Sequence, residues 1–151
     1  EARPPASEAG GVISRVLMIV ACVLAAGAAA TPAAADPCTA PVPTRAGHSF
    51  SGQVRYVGDG DGLCVGDSPD PTTWIEVRLA DFDAPELHAP IGARAKAALE
   101  DVALGRGAFC TAVRGRNGRV QVYDRVIAVC QISGRSIGTL LRQIGAPQGG
   151  R

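Results

Sequence analysis

Residues 74–102, WIEVRLADFDAPELHAPIGARAKAALEDV, contain the change of periodicity on which the fold turns. Trp74, Ile75, Val77 and Leu79 read as a strand with Glu76 and Arg78 on its other face, because side chains alternate along an extended chain. Residues 81–90 break that period and hold Pro85 and Pro90. From there the apolar positions move to helical spacing. Ile91, Ala95, Ala98, Leu99 and Val102 fall on one stripe, the signature of a helix lying on a core. Pro90 suits the first turn of that helix, where no N–H partner is missed. Gly105 suits its C-terminal cap.

Upstream, residues 50–57 read as a strand with imperfect alternation. Gly58–Gly62 is a turn dense in Gly and Asp, and Leu63–Val65 is a short strand. The region up to Leu79 is therefore a three-stranded meander. Downstream, Phe109–Val113 and Val120–Cys130 read as two strands joined through Arg114–Arg119, where Asn117-Gly118 signals a hairpin. Ile137–Ile144 is a short helix that offers Leu140, Leu141 and Ile144 to the core, and Gly138 weakens it. Three strands, a helix, two strands and a helix is the order of an OB-type barrel. The expected fold is α+β, mainly β: a five-stranded barrel over residues 49–146, with one helix between strands 3 and 4 and a short C-terminal helix. Residues 36–48, rich in Pro, Ala and Thr, read as an extended leader. Residues 147–151 read as a flexible tail.

The first 35 residues have a different character. Arg15 precedes an apolar run, Val16–Ala30, that ends in Thr31-Pro32-Ala33-Ala34-Ala35. A positive charge, a short apolar core and an Ala-x-Ala site form a secretory signal peptide. The run is shorter than the roughly 20 residues that span a bilayer. Cleavage is expected after Ala35, leaving Asp36 at the N-terminus, no membrane anchor and a periplasmic or secreted protein. Cys22 falls inside this segment. Cys38, Cys64, Cys110 and Cys130 remain, and an even number in an exported chain implies disulfides. A zinc site is the alternative, but no Cys-x-x-Cys pair occurs and both histidines lie far from the cysteines in sequence.

Composition says less about partners. The net charge is only +1. Of the basic residues only Lys96 is a lysine, and the arginines suit bidentate phosphate contacts.

Three segments carry the chemistry. They are Asp59-Gly60-Asp61-Gly62, Arg78-Leu79 running into Asp83-Ala84-Pro85-Glu86, and Tyr123-Asp124-Arg125. Taken singly, each reads as plain structure: a turn, a loop leading into a helix, an arginine on a strand. Taken together, their carboxylates would make a hard-cation site, and their arginines would hold a phosphate and stabilise charge developing on it.

These segments, in this order and spacing, resemble the staphylococcal-nuclease-like (thermonuclease) family. The pattern there is an Asp-Gly-Asp-Thr turn, an Arg-Leu strand running into Asp-Thr/Ala-Pro-Glu, and a later Tyr-Gly-Arg. Leu140–Gly145 is similar to the family's second-helix segment. The resemblance covers about residues 50–146. It implies that Asp61 and Asp83 ligate one Ca²⁺, with Mg²⁺ less favoured, and that the backbone carbonyl of Ala84 joins them. Glu86 would orient or deprotonate the attacking water. Arg78 would bind the scissile phosphate, and Arg125 would stabilise the pentacoordinate phosphorus. The implied substrate is single-stranded DNA or RNA, cut by a monomer to leave 3′-phosphate ends. Two neighbours depart from the pattern. Gly62 lacks the threonine hydroxyl that could brace the turn, and Asp124 brings a negative charge beside Arg125. The lysine and tyrosines that grip a terminal phosphate in the family have no clear match. Arg114, Arg116 and Arg119 would supply such contacts only if their loop borders the cleft.

The same layout sets Cys110 opposite Cys130 across one hairpin and leaves Cys38 to tie the leader to Cys64. Two other readings stand beside the exported nuclease. A non-catalytic OB-fold module of the envelope, binding nucleic acid or a protein, usually lacks these carboxylates and arginines. A structural envelope protein explains the cysteines but not the site.

Overall fold

The computed structural model describes residues 35–149. The segment read as a signal peptide lies outside them, apart from Ala35. Among the described residues, no helix is long and apolar enough to cross a membrane.

The expected meander forms. Strands β1 (Ser49–Val57), β2 (Gly62–Gly66) and β3 (Ile75–Leu79) pair antiparallel in sequence order. Helix α1 (Gly92–Ala103) follows, then β4 (Gly107–Ala112). β1 is long enough to serve both halves of the molecule. Gln53–Val57 pairs with β2, and Ser49–Gln53 pairs with β4. Strand β6 (Arg125–Ile132) pairs antiparallel with β4 and parallel with β3, which closes the barrel. The result is a closed five-stranded mixed barrel with two extra short strands, β5 (Gln121–Val122) and β7 (Arg135–Ser136), both on β6. Helix α2 (Ile137–Gln143) ends the fold. This is the expected OB-type architecture.

The sequence reading fails at one strand. Val120–Cys130 is not continuous, because Tyr123 and Asp124 form a two-residue turn that folds β5 back on β6. Asn117-Gly118 does turn the chain, but inside the loop that leads from β4 to β5. There Gly118 N–H donates to Gly115 O at 2.9 Å, and Gly115 N–H donates to Arg119 O at 2.8 Å.

Val54, Leu63, Val65, Val77, Leu79 and Val126 fill the barrel. Ala95, Leu99 and Val102 of α1 cover one end, as their spacing predicts, whereas Ile91 stands at the helix N-cap and is partly exposed. Gly105 takes the left-handed conformation (φ +77°) just beyond α1, where its missing Cβ removes the steric penalty. α2 packs Ile137 and Leu141 inward, but Ile144 is exposed rather than in the core. Gly138 has a packing reason: a Cβ there would sit 2.6 Å from the carboxyl of Asp81.

Both faces of β2 are buried. Leu63 and Val65 face the barrel, and the leader covers Cys64. Cys38 lies at disulfide-bonding distance from Cys64, with Cα atoms 5.9 Å apart. Cys110 and Cys130 are direct partners in the β4–β6 register and also lie at bonding distance. Such pairs are compatible with an oxidising compartment. Ala146 is buried, and Gly149, within the segment read as a tail, donates its N–H to Asp83 O at 2.7 Å; residues 150 and 151 lie outside the described residues.

Candidate functional site

The Asp59–Gly62 turn is braced from within. Asp59 Oδ1 accepts the Asp61 N–H at 3.0 Å, and Gly58 N–H donates to Gly62 O at 3.0 Å. Gly60 lets this turn press on its surroundings: a Cβ there would lie 2.4 Å from the Cβ of Ala84 and 2.6 Å from that of Ala95. At Gly62 a side chain would meet Asp59 Oδ1 at 2.8 Å, so the Asp59 carboxylate would have to swing aside to admit one. The carboxylate of Asp59 thus occupies the space where a threonine would stand, and it braces the turn itself.

This geometry drives Asp61 inward, to 6 % exposure. Its two oxygens are both engaged. Oδ2 accepts the Ala84 N–H at 2.7 Å, and Oδ1 pairs with Arg78 Nε at 3.2 Å. Burial raises the Asp61 carboxyl to about 6, while the Ala84 N–H and the Arg78 guanidinium pull the other way. Buried carboxylates resist ionising because the charged form loses its water.

Arg78 sits on the outer face of β3, beside Gly62 across the β2–β3 pair. Its guanidinium also pairs with Asp83 Oδ1 and donates to the carbonyls of Leu79 and Phe82. Arg125 begins β6, and its Nη1 lies 3.9 Å from Asp59 Oδ2. Glu86 is exposed at the rim. Asp59, Asp61, Arg78, Asp83, Glu86 and Arg125 all line one cleft of about 200 Å³, with Ala84 in its wall. Segments distant in sequence therefore supply one cavity, as the three motifs taken together anticipate. His48 and His88 are exposed and line no part of it.

Tyr123 was legible only as part of a motif, without a role of its own, and Glu76 and Asp36, beside the cleft, were not legible as site features at all. Tyr123 lines the cleft mouth with 90 % of its surface exposed. Glu76, one strand repeat from Arg78, is 8 % exposed. Its carboxyl is raised to about 7 by burial, with Asp124 and Asp36 adding to the shift and Arg125 opposing it. Asp36, the residue expected to begin the processed chain, is seated against Gly58 and within hydrogen-bonding reach of Tyr56 and Glu76.

The donor chemistry of Asp61 and Asp83, oxygen with no sulfur or imidazole, suits a hard divalent cation. No group of three or more acidic, His or Cys side chains among the described residues is placed to hold one. Both Asp61 oxygens and Asp83 Oδ1 are engaged by the Ala84 N–H and the Arg78 guanidinium, so an ion there would have to displace or share those partners. The Ala84 carbonyl is hemmed in by Gly149, where a Cβ would come within 2.8 Å of it.

Comparison with protein-family models and with curated proteins finds no match to this chain.

Proposed function

We propose that the protein is an exported, metal-dependent nuclease that hydrolyses phosphodiester bonds of single-stranded DNA or RNA. The observation that carries this reading is the convergence of Asp61, Arg78, Asp83, Glu86 and Arg125 on one cleft. Two arginines, three buried or half-buried carboxylates (Asp59, Asp61 and Asp83) and the exposed Glu86 around a small cavity suit a phosphate with a counter-cation better than they suit a neutral ligand. A periplasmic or secreted location agrees with the two cysteine pairs.

In this reading Arg125 reaches the phosphate from the β6 side of the cleft, and Arg78 from the β3 side. Glu86, at the open rim, holds a water and takes its proton as the water oxygen bonds to phosphorus. The bond from phosphorus to the leaving sugar oxygen then breaks, and that oxygen takes up a proton from solvent water to leave as a hydroxyl. Asp61 and Asp83 would hold a Ca²⁺, which would supply positive charge against the phosphate. Pocket geometry also supports a role for the arginine-rich loop. Arg116 and Asn117 border an adjoining cavity of about 310 Å³ that shares Arg78, Asp83 and Val122 with the cleft.

The test uses oxidised protein and single-stranded DNA, with Ca²⁺, with Mg²⁺ and with EDTA. Cleavage should need the metal. Glu86→Gln should lower kcat by about 10²-fold or more, and Arg125→Ala by about 10²- to 10³-fold. Metal-independent cleavage, or turnover unchanged by both substitutions, would overturn the assignment. One observation favours the second reading, a non-catalytic binding module: Arg78 already satisfies Asp61, Asp83 and two carbonyls, as a structural strut would. Retained DNA binding with no cleavage under any metal would select it.

A further inference from the structure

The turn between β5 and β6 projects Tyr123 into solvent at φ +54°. Its ring supports no packing, so its backbone strain has no structural return in the barrel. Strain held at an exposed aromatic residue beside a cleft points toward function. Tyr123 borders two cavities at once. One is the cleft that holds Asp61 and Arg125. The other is a groove of about 450 Å³ on the far side of the turn, lined by Thr44, Arg114, Arg119 and Gln121. No acidic residue lines that groove. Arg114 is held in place there, because its Nη1 donates to Gly118 O at 2.8 Å.

We infer that the groove is a polynucleotide arm. A single strand leaving the cleft lays a base on the Tyr123 ring, and its next phosphates meet Arg114 and Arg119. An aromatic face followed by cations is the arrangement that holds unpaired strands without regard to sequence. A duplex keeps its bases stacked on one another and could not use the ring. The arm rests on the nuclease reading and deepens it: substrate length is read outside the reacting centre. Arg114 and Arg119 are then residues for strand binding, with no part in the chemistry.

Binding is measured in EDTA, where cleavage does not interfere, by fluorescence anisotropy of labelled oligo-dT of twelve and of three nucleotides. Arg114→Ala/Arg119→Ala should weaken the twelve-mer about tenfold and lower its log K against log salt slope by about 1.4. Tyr123→Ala should weaken it by about tenfold, and Tyr123→Phe should restore it. The three-mer should bind the double arginine variant as it binds the parent. All three positions are exposed, so circular dichroism and melting should match the parent. Unchanged twelve-mer binding, or equal losses of the double arginine variant at both lengths, would overturn the arm. Cleavage assayed in parallel separates the two claims. A parent protein that binds but never cleaves loses the nuclease reading alone, whereas a parent that cleaves with an unaffected arm variant loses the arm alone. Absence of twelve-mer binding by the parent overturns both.

Discussion

Glu76 carries the clearest pH signal among the single residues. It lies on the same face of β3 as Arg78, nearly sealed, with Asp36, Asp124 and Arg125 around it. Its carboxyl titrates at about 7 in the folded protein, against an ordinary 4.5. Between those values the native protein keeps a proton that the unfolded chain has released. The stabilisation is complete below pH 4.5 and is lost as pH rises through 7. Asp61 shifts in the same direction, so the parent must be compared with a single variant. Glu76→Gln should flatten the difference. Its urea midpoint should equal the parent's near pH 5 and exceed it at pH 8. A parent–variant difference that stays constant across that range would show that Glu76 ionises without penalty.

At the scale of elements, the β5–β6 turn sets structure against function. Only the first of its two residues has a positive φ, a position that glycine fills best in tight hairpin turns. Tyr123→Gly should therefore stabilise the fold by about 1 kcal/mol, read as a higher urea midpoint, while it removes the ring from the cleft mouth. A loss of stability would mean that the ring does pack. The same turn explains why the strand boundary was illegible. Val120, Val122, Val126 and Ile127 alternate well enough for one long strand, and Tyr-Asp carries no turn signal. The stripe of α1 was legible because Ala95, Leu99 and Val102 bury against a single core, and periodicity reports that directly. Ile144 misled because it follows the period of α2 but falls at the helix end, where the chain turns at Gly145. The site residues were legible as three motifs that would meet at one place. Their pairings were not, since nothing local records that Asp59 would reach Arg125 or that Asp61 would accept the Ala84 N–H. The seating of Gly149 was hidden too, because it depends on a backbone bond to Asp83 that any residue except proline could make.

For the whole molecule, the leader acts as a strap. Ala40 N–H donates to Trp74 O at 3.1 Å, and Cys38 fastens the segment to β2. The pair closes a loop of sequence separation 26. Cys38→Ala/Cys64→Ala should cost about 2–4 kcal/mol, mostly by enlarging the unfolded ensemble, seen as a lower urea midpoint under oxidising conditions. Because Asp36 sits just before the strap and touches the site turn, the variant should also blunt the pH response of Glu76. If stability and pH response both stay unchanged, the leader is not fastened in this way.

The parallel seam between β3 and β6 joins parts of the chain made far apart during synthesis. Arg78 lies within that seam opposite Ile127, Asp61 is tied to it through Leu79 N–H, and Arg125 stands at its mouth. Pairings of this kind form late, since distant segments must first meet. Until they do, Arg125 stands apart from the other four residues of the cleft. If the proposed export and nuclease activity hold, a chain that crosses a membrane unfolded would travel unarmed, and the nucleic acid of the cell that made it would be spared by topology alone.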